Sequence, residues 1–271
     1  MKIFEKKFVR DGKSMLSYVQ IGDGPNIWLT FHGFAQTKLE FAKLAGGLAD
    51  SHSIYCFDLF FHGDSLWLDG DMVLTPYRWK IFMEKFLAKE NIQNFNIAAF
   101  SLGGKFALLT LAAFPDRVNK ISLIAADGVK TTIWFKLARY RFIRDQLKGL
   151  VVNASFFYKA IKWVERTRII DKQVTNFARL QMEHRKRRRR LFYSWMVFRE
   201  IKPDIPHLAK LMNTHNIKLM VVLGQYDPLM TTKTMRPLWK RVENKQMLIF
   251  PTGHYTLMRE IDFPSVKQIF R

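Results

Sequence analysis

The stretch Phe95–Gly104, FNIAAFSLGG, decides the fold that this sequence predicts. Residues 97–100 form an apolar run of strand length, and from Phe106 onward apolar residues recur at helical spacing as far as Phe114-Pro115. The expected order is therefore a buried strand, a tight turn with Ser101 at its tip, and a helix.

The residues around Ser101 fit a turn in which the strand and the helix touch. Such contact requires small residues two positions before and two positions after the serine, which here are Ala99 and Gly103. The common pattern is G-x-S-x-G, and this sequence departs from it at Ala99 alone. With that one change the segment resembles the nucleophile turn of the α/β-hydrolase family. An ordinary Ser-Leu-Gly-Gly turn before a helix is the alternative explanation of the motif alone.

The first hundred residues carry alternating strand and helix patterns. Asp11-Gly12 separates two β-prone runs at 4–9 and 14–21, which predicts an antiparallel hairpin. Runs at 27–31 and 53–57 enclose a helical pattern, as in a unit of two parallel strands with a helix between them. Thr75-Pro76 predicts the start of the helix that leads into the serine-bearing strand.

The second half of the chain interrupts this alternation once. Strand patterns recur at 120–125, 217–223 and 246–250, with helices expected at 232–242 and from Leu257, whereas residues from about 129 to 204 show helical patterns only. The predicted fold is α/β, a mostly parallel twisted sheet flanked by helices, with a helical insertion between late strands. Its domains are a core of residues 1–128 and 205–271 and an insertion of residues 129–204, which in the α/β-hydrolase family forms a lid over the serine.

Three residues are candidates for a catalytic triad. A serine hydroxyl is a poor nucleophile at neutral pH and requires a histidine as base and a carboxylate that orients the histidine. In the α/β-hydrolase family the acid follows a late strand and the histidine follows the last one. Asp227 and His254 hold those positions, at carboxyl ends of strands predicted to be parallel, so Ser101, Asp227 and His254 are expected to converge. Asp127, which also ends a strand, is the alternative acid.

The oxyanion donors are inferred from the same resemblance. Phe31-His32-Gly33-Phe34 follows the third predicted strand and is similar to the family's oxyanion loop, which assigns the backbone amides of Phe34 and Leu102 to the oxyanion. His32 matches the loop rather than the base, and we expect it to be structural. His62, in the loop after the fourth strand, is also expected to be structural, with an approach to substrate as the alternative.

Composition limits the class of protein. The chain has 271 residues, of which 48% are hydrophobic and 25% charged, as in a folded globular protein, and it holds no apolar run long enough to span a membrane. The first residues lack the apolar core of a signal peptide, so a cytoplasmic location is expected. Cys56, the single cysteine, lies in an apolar run and is expected to be a buried small hydrophobe. The predicted chemistry needs no metal and no cofactor.

Positive charge is concentrated in the predicted lid. The net charge of the chain is +21, and residues 130–202 contain 20 basic and five acidic residues, a net charge of +15. Aromatic residues from Trp134 to Trp163 are interleaved with these cations, and a basic run extends from Arg185 through Lys186, Arg187, Arg188 and Arg189 to Arg190. This pattern is typical either of solvated basic helix faces or of peripheral contact with an anionic membrane. For a protein in the cytoplasm, that contact would be with the inner face of the membrane. Nucleic acid is not expected as a partner, because no nucleic-acid-binding motif accompanies the charge.

The predicted function is a serine hydrolase that cleaves a carboxylic ester or thioester with an apolar acyl group, through an acyl-enzyme on Ser101. A small-molecule or lipid-like ester is the expected substrate. Two other functions stay open, because one fold serves many functions: hydrolysis of carbon–carbon bonds with the same triad, and a non-catalytic ligand-binding or membrane-associated role.

Overall fold

The computed structural model describes residues 5–70, 72–130 and 172–271, and eight strands in these residues form one sheet. The strands are β1 Lys7–Asp11, β2 Ser14–Ile21, β3 Asn26–Phe31, β4 His52–Phe57, β5 Phe95–Phe100, β6 Val118–Ile124, β7 Lys218–Gly224 and β8 Lys245–Phe250. Their order in the sheet is β1-β2-β4-β3-β5-β6-β7-β8. β1 and β2 run antiparallel to their neighbours, and all strands from β3 to β8 are parallel.

Helices connect the parallel strands. Their bounds are α1 Leu39–Ala45, α2 Pro76–Lys89, α3 Gly103–Ala113, α4 Lys172–Glu183, α5 Arg185–Phe198, α6 Ile205–Thr214, α7 Thr232–Trp239, α8 Leu257–Glu260 and α9 Phe263–Phe270. Short 3₁₀ turns follow α1 and α3, at Gly46–Leu48 and Pro115–Arg117. The mostly parallel, helix-flanked sheet that the sequence predicted is confirmed.

Local signals explain several of these boundaries. Gly12, with φ +56°, makes the turn between β1 and β2. The Thr75 hydroxyl accepts a hydrogen bond from the Arg78 amide at 3.2 Å, which caps the amino end of α2, and Pro76 occupies the first position of that helix. α2 then packs its aromatic side chains on the sheet, where Phe86 meets Tyr18 and Phe57 edge to face.

The end of the chain differs from the single last helix that the sequence predicted. α8 ends at Glu260, and α9 begins after Asp262, whose carboxylate accepts a hydrogen bond from the Ser265 amide at 3.0 Å. Pro264 at the start of α9 fits a first helical turn but could not continue α8, because proline has no amide hydrogen to donate. The cap and the proline together divide the predicted helix in two.

Contacts among the described residues divide them into two compact units. One unit consists of residues 5–70, 75–130 and 201–271 and contains the whole sheet; the other consists of residues 72–74 and 172–200. Much of the predicted lid, including the aromatic residues from Trp134 to Trp163, lies outside the described residues, so the bounds 129–204 stay a prediction. In the part of the chain that the structure describes, no helix is long and apolar enough to cross a membrane.

Candidate active site

Ser101 lies between β5 and α3 in a conformation that non-glycine residues seldom adopt. Its φ is +47°, in the left-handed region where a side chain is strained. Two backbone hydrogen bonds hold it there: the Ser101 amide donates to the Ile124 carbonyl at 3.1 Å, and the Asp127 amide donates to the Ser101 carbonyl at 2.8 Å. The end of β6 thus fixes both polar groups of the strained residue.

The turn at Ser101 is as closely packed as the sequence pattern required. A Cβ atom on Gly103 would lie 2.0 Å from the Phe31 carbonyl oxygen, and one on Gly104 would lie 2.4 Å from the Asp127 carbonyl oxygen. Both obstacles are backbone atoms, which cannot move aside as a flexible side chain could. The first turn of α3 therefore touches the ends of β3 and β6 directly, and this contact positions Ser101 above the sheet.

The structure brings together the three residues that the sequence proposed as a triad. His254 Nε2 lies 3.0 Å from Ser101 Oγ, and His254 Nδ1 lies 2.6 Å from Asp227 Oδ2. Asp227 is 4% exposed and His254 is 3% exposed. An ionised carboxylate can only accept hydrogen bonds, so we assign the proton to Nδ1, which leaves the Nε2 lone pair directed at the serine hydroxyl. This arrangement can withdraw the hydroxyl proton during an attack by Ser101.

The positions of Asp227 and His254 depend on contacts that were not predicted from the sequence. Asp227 Oδ1 accepts hydrogen bonds from the amides of Leu229 at 2.7 Å and Met230 at 2.9 Å. The Phe100 ring stacks on the His254 ring, with centroids 5.2 Å apart. The signal for the first contact was present, since aspartate commonly accepts bonds from amides two or three residues later in a turn.

Asp127, the alternative acid, has different partners. Its Oδ1 accepts a hydrogen bond from the Gly128 amide at 2.7 Å, and its Oδ2 lies 3.5 Å from Lys105 Nζ. Burial lowers the pKa of Lys105, and the nearby Asp127 carboxylate opposes that effect. The geometry therefore favours Asp227 as the partner of His254.

His32 and His62 both brace backbone next to the predicted oxyanion loop. His32 donates from Nδ1 to the Gly33 carbonyl at 2.7 Å and accepts at Nε2 from the Leu59 amide at 3.0 Å. His62 donates from Nδ1 to the Phe60 carbonyl and accepts at Nε2 from the Ala35 amide, both at 3.0 Å. Each ring uses both nitrogens on the backbone, which is what a structural role requires.

The loop that carries Phe34 is held on both sides of that residue. The Gly33 amide donates a hydrogen bond to Gln36 Oε1 at 2.8 Å, and the Ala35 amide donates one to His62 Nε2 at 3.0 Å. The Phe34 ring meets the His62 ring edge to face at 5.3 Å. Leu102, the other predicted oxyanion residue, directly follows Ser101 at the start of α3. The assignment of the Phe34 and Leu102 amides to an oxyanion stays a prediction.

A protein-family profile described as alpha/beta hydrolase fold matches residues 29–260, most of the chain. The chain belongs to the α/β-hydrolase fold family. The resemblance inferred from the residues around Ser101 is thereby confirmed, and with it an enzyme of the α/β-hydrolase class. A comparison with curated protein sequences gave no match.

Solved structures similar to this α/β-hydrolase include several kinds of hydrolase. A thermophilic esterase from Thermogutta terrifontis matches with a TM-score of 0.70 and 14% identity, covering 97% of each chain. A bacterial membrane phospholipase A matches with a TM-score of 0.67 and 17% identity, over 98% of this chain and 85% of the other. A thioesterase domain from the curacin biosynthetic pathway matches with a TM-score of 0.64 and 12% identity over 100% of both chains. At such low sequence identities, similarity to these solved structures establishes the fold alone.

Other reactive groups of this hydrolase are less suited to catalysis. Cys56 is fully buried, and burial raises the pKa of its thiol to about 12, so it is not a nucleophile at neutral pH. This agrees with the expectation of a buried small hydrophobe. Within residues 5–70, 72–130 and 172–271, no group of three His, Cys, Asp or Glu side chains is arranged to hold a metal ion.

The basic run at the start of α5 separates into two sets of three residues. Arg187 and Arg188 donate to the carbonyls of Leu180 and Met182 at the carboxyl end of α4, and Arg190 donates to Gln181 Oε1. Cations at these carbonyls complement the negative end of the α4 dipole. The other three, Arg185, Lys186 and Arg189, have exposed side chains. Only half of the run is therefore presented mainly to solvent.

Proposed function

We propose that this α/β-hydrolase cleaves a carboxylic ester or thioester with an apolar acyl group, through an acyl-enzyme on Ser101. The observation that carries the proposal is the continuous hydrogen-bonded path from Ser101 Oγ through His254 to Asp227, with distances of 3.0 and 2.6 Å. The strained backbone at Ser101 supports it further, because such strain concentrates at functional residues.

In the proposed reaction Ser101 Oγ attacks the carbonyl carbon of the substrate while His254 Nε2 takes the hydroxyl proton. Asp227 accepts the bond from Nδ1 and stabilises the imidazolium that forms. The carbonyl oxygen becomes an oxyanion that accepts hydrogen bonds from the Phe34 and Leu102 amides. Collapse of the intermediate breaks the bond to the alcohol or thiol, which leaves with the proton from His254. Water then attacks the acyl-enzyme, with His254 again as base, and releases the acid and Ser101.

A series of p-nitrophenyl esters with acyl chains from two to sixteen carbons, together with matching thioesters, tests the reaction type. We expect hydrolysis with a rapid burst of one p-nitrophenol per active site where deacylation is slower than acylation, because the leaving group departs before water enters. The chain length with the highest kcat/KM identifies the acyl group.

Three results of this series would count against the proposal. Hydrolysis that persists in Ser101→Ala would exclude the acyl-enzyme on Ser101. If the protein hydrolyses a vinylogous 1,5-diketone but none of the esters, the result would favour the carbon–carbon hydrolase. Binding of these compounds without turnover would favour a ligand-binding protein.

We further propose that this hydrolase contacts anionic lipid headgroups peripherally through the exposed cations of α5. Arg185, Lys186 and Arg189 lie within two turns of one helix and have exposed side chains. Cations near an anionic membrane surface contribute about 1 kcal/mol each to binding. A lipid-like ester would be delivered at such a surface.

The two sets of cations on α5 allow variants with the same change of charge. A triple variant in which glutamine replaces Arg185, Lys186 and Arg189 is expected to bind vesicles with 30% phosphatidylserine roughly a hundredfold more weakly, because each cation contributes about 1 kcal/mol. Its melting temperature is expected to be unchanged. The matched replacement of Arg187, Arg188 and Arg190 is expected to lower the melting temperature instead, since it removes the contacts with α4. Vesicle co-sedimentation and calorimetry measure the two effects. Equal loss of binding in both variants, or no binding by the unmodified protein at 100 mM salt, would contradict this proposal.

A further inference from the structure

A buried ion pair lies at the back of the turn that carries Ser101. Lys105, in the first turn of α3, is 1% exposed, and Asp127, just beyond β6, is 7% exposed. Their charged atoms, Lys105 Nζ and Asp127 Oδ2, are 3.5 Å apart. The proposed reaction uses neither side chain. Since buried ion pairs are weak contributors to stability, a buried pair next to a strained residue calls for another explanation.

Asp127 belongs to the segment that holds Ser101 in its strained conformation. In this segment, residues 124–127, the Ile124 carbonyl accepts a hydrogen bond from the Ser101 amide. The Asp127 amide donates one to the Ser101 carbonyl. The position of this segment therefore determines the orientation of the Ser101 backbone, and hence of Oγ relative to His254.

The same segment is itself strained and closely packed. Ala125 has a φ of +41° and Gly128 a φ of +109°, so the chain visits the left-handed region on both sides of Asp127. A Cβ atom on Gly128 would lie 3.2 Å from the Lys105 Cα and Cγ atoms. A strained conformation persists only where neighbouring groups hold it, and the Asp127 side chain supplies two such contacts, to the Gly128 amide and to Lys105.

We infer that Lys105 and Asp127 are a positioning pair, which ties the first turn of α3 to the end of β6 and so keeps Ser101 Oγ in line with His254. This inference rests on the proposed role of Ser101 as nucleophile. The pair acts through the backbone at Ser101 and does not contact the reacting atoms. The observation behind it is a closed loop of contacts that runs from Ser101 along α3 to Lys105, across to Asp127, and back to Ser101 through the Asp127 amide.

The test compares Lys105→Met, Asp127→Asn and the double variant. The readouts are kcat and KM for p-nitrophenyl butyrate, the rate constant of labelling by a fluorophosphonate, and the melting temperature. We expect each single variant to lower kcat and the labelling rate by roughly tenfold to a hundredfold, the loss typical of a small displacement of a catalytic group, with KM within about twofold of the unmodified enzyme. The double variant leaves no unpaired buried charge, so its melting temperature is expected to recover while its labelling stays slow.

Glu90→Gln is the matched control. Glu90 accepts a hydrogen bond from Tyr18 at 2.6 Å and pairs with Lys7 at 3.0 Å, at the end of α2 and away from Ser101. We expect this variant to lower the melting temperature and leave the labelling rate unchanged. It shows whether loss of stability alone slows labelling.

Four outcomes would overturn the inference. Labelling and kcat that return to normal in the double variant, together with the melting temperature, would show that the pair acts on stability alone. A normal kcat in Lys105→Met beside a nearly inactive Asp127→Asn would make Asp127 the catalytic acid. If the unmodified enzyme is neither labelled nor active on any ester, the proposed function fails, and this inference fails with it. Normal labelling of the unmodified enzyme and of all variants would contradict the positioning role alone.

Discussion

Replacing His254 with alanine is expected to lower kcat by roughly 10⁴- to 10⁶-fold, the range found when a triad histidine or serine is removed. The physical reason is that Ser101 Oγ loses the base that lies 3.0 Å away in the structure. KM is expected to change little, because His254 acts on the proton and not on the acyl group. Steady-state kinetics on the best p-nitrophenyl ester, at equal concentrations of folded enzyme and variant, measure the loss.

Asp227→Asn and Asp127→Asn form the controls for this prediction. Asp227→Asn is expected to cost about 10⁴-fold in kcat, because the amide no longer fixes the proton on Nδ1 of His254. Asp127→Asn is expected to cost far less, since Asp127 bonds Gly128 and Lys105. A larger loss in Asp127→Asn than in Asp227→Asn would assign the acid to Asp127 and contradict the geometry described above.

The second large effect is expected from Gly103→Ala, which adds a single methyl group. That methyl would lie 2.0 Å from the Phe31 carbonyl oxygen, far inside van der Waals contact. Because the obstacle is the backbone of β3, the strand and α3 must separate, at an expected cost of about 3–5 kcal/mol in the free energy of unfolding. Chemical denaturation with urea measures the change, and the burst of the folded fraction reports whether Ser101 stays in position.

Gly46→Ala is the matched control for Gly103→Ala. Gly46 has helical dihedrals, with φ −57°, and a Cβ atom there would meet no atom within 4 Å. The added methyl restricts the unfolded chain without a clash, so the free energy of unfolding is expected to rise by about 0.4–1 kcal/mol. An equal change in the free energy of unfolding for the two variants would contradict the claim that close contact between α3 and β3 excludes a side chain at position 103.

The fold around Ser101 was predictable because its signals are local. The change from an apolar run to helical spacing at Ser101 predicted β5 and α3, and Thr75-Pro76 predicted the start of α2. The resemblance to the α/β-hydrolase family predicted Asp227 and His254 as partners of Ser101, because both follow late strands at the same edge of the sheet. In the structure His254 Nε2 lies 3.0 Å from Ser101 Oγ and His254 Nδ1 lies 2.6 Å from Asp227 Oδ2, and their catalytic roles stay a proposal.

The order of strands in the sheet was not predictable in the same way. β4 lies between β2 and β3 although β3 precedes it in the chain. The partners of a strand are chosen by long-range packing, about which the pattern of a single strand says little. By contrast, the end of α8 was visible in the sequence, since Asp262 followed by Pro264 is a typical helix start.

The pairing of Lys105 with Asp127 depends wholly on tertiary structure. Lysine in the first turn of a helix is usually solvated, and Lys105 is buried because α3 packs against the ends of β3 and β6. Asp127 was noted in the sequence as an alternative acid because it ends a strand. Its burial beside Lys105 gives it a different set of partners, and no local pattern carried that information.

The most direct test of the account is covalent labelling with a fluorophosphonate, followed by peptide mass spectrometry. We predict one modification per chain, on the peptide that contains Ser101, with labelling abolished in Ser101→Ala and slowed in His254→Ala. Modification of any other residue, or labelling of Ser101 at an unchanged rate without His254, would contradict the claim that His254 activates Ser101.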